Sequence, residues 1–424
     1  MKLRVGRSQP GGRVNIPGSK SHTIRALFIA TLAEGQSIIK NPLVSGDALS
    51  AVGACRALGA SITVESGRFA VTGTGGVPVV PEDVIDVGNS GTTLRFGVLS
   101  AALADGWSFF TGDYQIRRRP LGPLIEAING LGGTAFSSRS NGSAPVAVKG
   151  RIKGGGIRLD AVTSQYLSSL LVNCPLLERD TEIDVMRLNE VPYVEMTLWW
   201  LDRLGIKYEN SGFKRFSIKG GQKYAGFDTI IPGDFSSATF FAVLAAISGG
   251  EFTLENLDMS DPQGDKRVFA ILEEMGAKVA SGANTVTIKG GGLKGLDIDM
   301  NAIPDALPAM AVAGCFAEGE TKLLNVPQAR LKETDRIRVM REELGRMGAD
   351  IEELPDGLII RKSRLKGCMV DGHDDHRVVM ALAVAGLNAD GDTLIDTAEA
   401  MNVTFPEFAQ SVRDCGGKIE ILED

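Results

Sequence analysis

Six short polar clusters place hydroxyls, amides and charged side chains at the start of apolar runs. They are Ser19-Lys20-Ser21 with Arg25, Asn89-Ser90-Gly91-Thr92-Thr93 with Arg95, Thr163-Ser164-Gln165, Asp234-Phe235-Ser236-Ser237, Ile303-Pro304-Asp305 and Asp374-Asp375-His376-Arg377. Ser, Thr, Asn and Asp are ordinary helix N-caps, and for Ser236 and Ser237 capping is a sufficient account. A Lys or Arg at a helix start opposes the macrodipole and needs another reason. Free backbone N–H groups, hydroxyls and cations gathered at helix starts make anion sites, so phosphates and carboxylates are the expected ligands. Arg117-Arg118-Arg119-Pro120 and Arg330-Leu331-Lys332-Glu333-Thr334-Asp335-Arg336 extend the pattern. Lys332 and Arg336 are four apart, so a helix there stacks two cations on one face. Arg117 and Arg118 read as a solvated face.

The elements that position these clusters follow from an internal repeat. An apolar-Gly signature recurs six times, at Gly59, Gly132, Gly205, Gly276, Gly348 and Gly416, roughly 70 residues apart. An amphipathic run such as Ala270-Ile271-Leu272-Glu273-Glu274-Met275 precedes each glycine, which suits a helix C′ position needing positive φ. Two short strands follow, with turn residues such as Ser281-Gly282-Ala283-Asn284 between them. Upstream lies a second helix, apolar all round and therefore buried: 26–33, 94–104, 166–174, 238–247, 306–316 and 378–387. The unit reads helix, strand, helix, strand, strand. Six copies make an α/β protein that divides as three plus three, with the turn Ile231-Pro232-Gly233 at the crossover.

The 424 residues hold 45 Lys plus Arg against 52 Asp plus Glu, and a net charge of −7 argues against nucleic acid and anionic membranes as partners. Any anionic ligand has to be drawn by local charge. The 43 % hydrophobic content and 52 Gly are globular and rich in turns, which excludes a disordered or collagen-like chain. The five Cys are scattered and form no C-x-x-C pair, which points to a reducing, cytoplasmic location. Neither a signal-like h-region nor a membrane-length apolar run occurs, so the chain reads as soluble.

Taken in order, Pro17-Gly18-Ser19-Lys20-Ser21 with Arg25, Gly88-Asn89-Ser90-Gly91-Thr92 with Arg95, Arg119-Pro120, Ser164-Gln165, Gly233-Asp234, Ile303-Pro304-Asp305, Lys332-Glu333-Thr334-Asp335-Arg336 and Asp375-His376-Arg377 resemble the 5-enolpyruvylshikimate-3-phosphate synthases over essentially the whole chain. The resemblance implies an inside-out α/β barrel of the enolpyruvyl transferase type. Two domains, 14–230 and 1–13 plus 231–424, would each hold three repeated units and close over a cleft that forms the active site. It implies transfer of the enolpyruvyl group of phosphoenolpyruvate to the 5-hydroxyl of shikimate 3-phosphate with release of phosphate, in aromatic amino acid biosynthesis. It further implies small anionic substrates as the only partners, a monomer, no cofactor and no metal.

Residue by residue, the resemblance sets Lys20, Gly91, Arg119, Gln165, Arg336 and Arg377 around phosphoenolpyruvate. Ser21, Arg25, Thr163, Ser164, Gln165, Tyr193, Asp305, Gln328 and Lys332 fall to shikimate 3-phosphate. Arg forks match phosphate and carboxylate bidentately. Asp305 resembles the base for the attacking hydroxyl, while Glu333 and Lys20 are candidates for the proton delivered to carbon. Glu190 stands where the family often has a Ser contacting the shikimate phosphate; an ionised Glu repels phosphate, so it is left out of the site. Gln328 replaces a shorter Asn, and Val403 stands where many members have a Lys. The sister transferase acting on UDP-N-acetylglucosamine carries a reactive Cys before its Arg-Pro, and Gly112-Asp113-Tyr114-Gln115-Ile116 has none. Gly12 to Ser21 is a near miss for a phosphate-binding P-loop, because Pro17 lacks an N–H and Ser19 breaks the spacing. A ring-shaped DNA clamp needs basic inner helices, and these are apolar. His373 and His376 with Asp374 and Asp375 are not read as metal ligands, since the third histidine, His22, lies far away in the sequence, and Asp375 and His376 are read as orienting neighbours such as Arg377.

Overall fold

In the computed structural model, which describes residues 1–423, all six signature glycines lie at positive φ, between 71° and 122°. Each follows an outer helix: Gly46–Ala57, Gly122–Gly130, Val191–Arg203, Arg267–Met275, Arg336–Arg346 or Phe408–Asp414. The inner helices are Lys20–Leu32, Gly91–Ala101, Ser164–Asn173, Phe235–Ser248, Leu307–Phe316 and His376–Gly386, and nearly every residue in them is buried. They start earlier than the apolar runs suggested, because the polar cluster forms the first turn of five of them. In Leu307–Phe316 the cluster precedes the helix as the 3-10 turn Pro304–Ala306.

Six four-stranded sheets surround these helices. Each contains one strand more than the sequence reading gave, a short segment ahead of the inner helix that pairs in parallel with the strand after it. Ile85–Asp86 beside Trp107–Thr111 is an example. In two sheets this extra strand comes from far along the chain: Asp228–Ile230 pairs with Gln36–Lys40, and Gly12–Asn15 with Glu251–Glu255. A third sheet is completed by Lys2–Gly6, which runs between Thr393–Asp396 and Lys418–Leu422.

The chain accordingly divides into two compact units, Gly18–Ile231 and Met1–Pro17 with Pro232 onward. Each has its own apolar core, in which the three inner helices pack on one another and on the inward faces of the sheets. The two crossings are built alike. Asn41, at φ 53°, donates to Ile231 O at 2.8 Å, and Asn256, at φ 67°, donates to Ile16 O at 2.9 Å. The following glycines lie hard against backbone: a Cβ on Gly18 would sit 2.2 Å from Asn41 O, and one on Gly233 2.2 Å from Asn256 O. No helix among the described residues is long and apolar enough to cross a membrane.

Candidate active site

In the unit Gly18–Ile231 the polar clusters do cap helices. Ser19 accepts from His22 N, Ser90 Oγ from Thr93 N at 3.4 Å, and Thr163 Oγ1 from Gln165 N. The cations lie at or just inside these helix starts. Lys20 opens its helix and sets Nζ 3.2 Å from Asp47 Oδ2. Arg25, one turn further, is 1 % exposed. Its guanidinium donates to Thr197 Oγ1 at 2.9 Å, Ser21 O at 3.0 Å and Tyr193 O at 2.9 Å. Burial pushes its pKa down to about 10, with Tyr193 and Glu190 opposing the shift.

Gly91, Arg119 and Gln165 come together around Arg95, which the sequence reading had not included among the site residues. Arg95 Nη1 donates to Gly91 O and Gln165 Oε1, each at 3.0 Å, and Nη2 to Pro120 O at 3.2 Å. Arg119 Nη2 donates to Asn89 Oδ1 at 2.8 Å. A Cβ on Gly91 would lie 2.5 Å from Arg95 Nη1 and 2.7 Å from Arg119 Nη1, so only glycine leaves both guanidinium groups where they are. Burial again lowers the Arg95 pKa, and Arg119 adds to that effect. Arg118 is exposed, whereas Arg117 is half-buried and donates to Gly112 O, so the solvated-face reading holds only for Arg118.

Thr163 and Ser164 meet Glu190, which departs from its expected exclusion. The Glu190 carboxylate accepts from Ser164 Oγ at 2.7 Å, Ser164 N at 3.1 Å and Thr163 Oγ1 at 3.2 Å. The donors at the start of the helix Ser164–Asn173 thus serve a carboxylate of the chain itself.

In the other unit, Asp305 lies in the turn Pro304–Ala306, before the inner helix Leu307–Phe316. Arg336 is 1 % exposed and ties three carboxylates together: Glu333 Oε2 at 2.6 Å, Asp305 Oδ1 at 2.8 Å and Asp375 Oδ2 at 2.8 Å. Arg377 Nη2 reaches Asp305 Oδ2 at 3.0 Å, and Lys332 Nζ lies 3.9 Å from Asp305 Oδ1. Burial works against the Asp305 charge, yet Arg377, Lys332 and Arg336 more than offset it and hold its pKa well below the usual carboxylate range. Burial likewise opposes the Arg336 charge, and Asp375, Glu333 and Asp305 together hold its pKa above the ordinary arginine value.

Lys332 and Arg336 do not stack on one helix face. The helix begins only at Arg336, capped by Asp335 Oδ1 accepting from Arg338 N at 3.1 Å, and Lys332 stands in the preceding turn. The two cations reach Asp305 from different backbone segments. Asp375 orients its neighbours as expected, accepting from Arg377 N at 2.8 Å while bridging to Arg336. Gln328 is 3 % exposed and donates to Asn301 O at 3.1 Å. Asp265, absent from the sequence reading, is buried and accepts from Ser236 Oγ. Burial and the nearby Asp305 push its pKa up to about 6. His373 Nε2 lies 2.9 Å from Glu343 Oε1, and no group of three or more His, Cys, Asp or Glu among the described residues could hold a metal ion.

Buried arginines aimed at helix starts, with carboxylates poised beside them, define an α/β enzyme for small, multiply anionic substrates. The family model for EPSP synthase (3-phosphoshikimate 1-carboxyvinyltransferase) matches residues 6–412. A 3-phosphoshikimate 1-carboxyvinyltransferase of Acetivibrio thermocellus is 69 % identical over 423 residues, covering 100 % of both chains, and one of Ruminiclostridium cellulolyticum is 64 % identical with the same coverage. An EPSP synthase structure from Acinetobacter baumannii superposes with a TM-score of 0.83 at 28 % identity, again over 100 % of both chains. The chain belongs to the EPSP synthase family, and its activity is that of an enolpyruvyl transferase in aromatic biosynthesis.

Proposed function

We propose that the chain transfers the enolpyruvyl group of phosphoenolpyruvate to the 5-hydroxyl of shikimate 3-phosphate through the side chains gathered at these helix starts. The observation that carries the assignment is the Asp305 cluster, where one buried carboxylate is shared by Arg336, Arg377 and Lys332. Phosphoenolpyruvate is bound by Lys20, Arg119, Gln165, Arg336 and Arg377, with the bare Gly91 leaving room for its phosphate. Shikimate 3-phosphate is held by Ser21, Arg25, Thr163, Ser164, Gln165, Tyr193, Gln328 and Lys332.

Asp305 accepts the proton of the attacking hydroxyl. Its depressed pKa keeps it ionised throughout the neutral range. An anionic substrate that draws Arg336 and Arg377 toward itself weakens their hold on Asp305, so the base strengthens when the substrate is in place. Glu333 or Lys20 delivers the proton to the methylene carbon. The tetrahedral adduct then returns a methyl proton to that group as the bond to phosphate breaks and the enol double bond re-forms, and the surrounding guanidinium groups stabilise the charge that develops on the departing phosphate.

We further infer a monomer in a reducing cytoplasm, with small anions and no nucleic acid as partners. The five cysteines, scattered along the chain and all free, support that compartment.

The test is phosphate release from phosphoenolpyruvate plus shikimate 3-phosphate, with UDP-N-acetylglucosamine in a parallel reaction. Release is expected only with the shikimate compound. Asp305→Ala and Glu333→Ala are each expected to cost about 10²–10⁴ in kcat. Near-normal turnover by either variant removes that residue from its role.

A further inference from the structure

Glu190 is the first place where this chain answers its own anion site. The residue is 1 % exposed and holds φ 61° and ψ 43°, a left-handed conformation that costs a residue with a Cβ appreciable energy. It joins the strand Thr181–Leu188 to the helix Val191–Arg203. The strained backbone puts the carboxylate at the start of a different helix, Ser164–Asn173. There one oxygen, Oε2, takes the Ser164 N–H and both hydroxyls of Thr163 and Ser164.

An N–H and two hydroxyls converging at a helix N-terminus form a complete oxyanion cradle. The Glu190 charge is felt by the Arg25 and Arg95 guanidinium groups and by the Tyr166 phenol. A phosphate oxygen would use the same three donors and the same field. Two anions cannot share them, because each donor has one hydrogen to give and like charges at such range repel strongly.

We propose that the Glu190 carboxylate is a built-in competitor for the phosphate of shikimate 3-phosphate, holding the Thr163–Ser164 cradle when the substrate is absent and leaving it when the phosphate binds. This rests on the assignment of Thr163 and Ser164 to that substrate. The carboxylate keeps the donors oriented in the empty protein, as a pre-formed site requires, and sets the affinity below what the bare cradle would give. Unphosphorylated shikimate has no group that must displace the carboxylate, so its binding does not meet this competition.

The experiment is calorimetric titration of the full-length protein and of Glu190→Ser and Glu190→Gln with shikimate 3-phosphate and with shikimate, alongside steady-state kinetics. Thermal melts confirm that each variant is folded, and Glu190→Gln retains the side-chain shape should the smaller Ser loosen the turn. Both variants are expected to bind shikimate 3-phosphate roughly tenfold tighter or more. Shikimate affinity and the KM for phosphoenolpyruvate should stay unchanged, a split that a merely structural residue would not produce. Unchanged or weaker binding of shikimate 3-phosphate by both folded variants, with the wild type turning over normally, overturns the proposal. A wild type that neither binds nor turns over shikimate 3-phosphate instead removes the functional assignment itself, and the named competitor with it.

Discussion

The two helix-start clusters use the same residue type in opposite electrostatic settings. In the unit Gly18–Ile231, Arg25 and Arg95 are surrounded mainly by neutral oxygens from Ser21, Tyr193, Thr197, Gly91, Gln165 and Pro120, and burial lowers their pKa values. In the other unit, Arg336 sits among three carboxylates that raise its pKa, and Asp305 is shared by three cations. In the first cluster the guanidinium groups donate to neutral oxygens and feel the Glu190 carboxylate only through space, so they keep a positive field, which is what holding an anion requires. The second is a nearly neutralised network in which charge and protons can be exchanged as an anionic substrate enters, which is what a chemical step requires. An arginine count alone would make the two look equivalent.

Replacing one buried arginine of each cluster by the same apolar residue separates these settings. Arg336→Met leaves Asp305, Glu333 and Asp375 crowded without their shared cation and is expected to cost about 3–5 kcal/mol in urea denaturation. Arg25→Met strands mainly carbonyl and hydroxyl acceptors and should cost about 1–3 kcal/mol. Equal losses from the two variants would erase the electrostatic distinction drawn between the clusters.

What was legible in the sequence follows the same divide between local and long-range causes. The six glycines could be read because each ends an amphipathic run and must turn at positive φ, a local requirement. The inner helices could be read because they are apolar all round, and their starts because capping residues declare themselves. The strands Gly12–Asn15 and Asp228–Ile230 could not be read, since three or four residues carry no periodicity and their sheet partners lie more than 180 residues away. Residues in motif order could be read, Arg95 among them though without a role, while Asp47 and Asp265 act through partners on other elements. The charge of Glu190 was weighed against a phosphate and not against its actual donors, Thr163 and Ser164. Their chain positions gave no sign that they would face it.

Asp265 sharpens the picture of the second cluster through pH. Its pKa of about 6 in the folded protein lies above the ordinary value of 3.8. The folded state therefore binds this proton more tightly than the unfolded chain does, and stability is lost as pH rises from the lower value through the upper one. Asp305, whose pKa is depressed, works in the opposite sense, giving stability above the ordinary carboxylate value that is lost on acidification. Asp265→Asn removes only the first contribution and keeps an acceptor for Ser236. The variant should match the wild type near pH 4 and exceed it by on the order of 2–3 kcal/mol above pH 7. A stability difference independent of pH would show that Asp265 is not the titrating member of the cluster.

The smallest expected effect falls on Gly91, and it tests whether the group of Gly91, Arg95 and Arg119 serves binding alone. An added Cβ would force the ends of the Arg95 and Arg119 side chains to move, and the nearest atoms it meets belong to these side chains and not to backbone. Gly91 has no positive φ that would strain an alanine. Gly91→Ala should therefore leave thermal stability within about 1 kcal/mol of the wild type. Displacing Arg119, the proposed phosphoenolpyruvate ligand, should raise the KM for phosphoenolpyruvate roughly tenfold, with kcat little changed and a smaller rise in the KM for shikimate 3-phosphate through the Arg95–Gln165 bond. A fall in kcat at unchanged KM would place Gly91 and its arginines in the chemical step, and the division of labour between the two clusters would not survive that result.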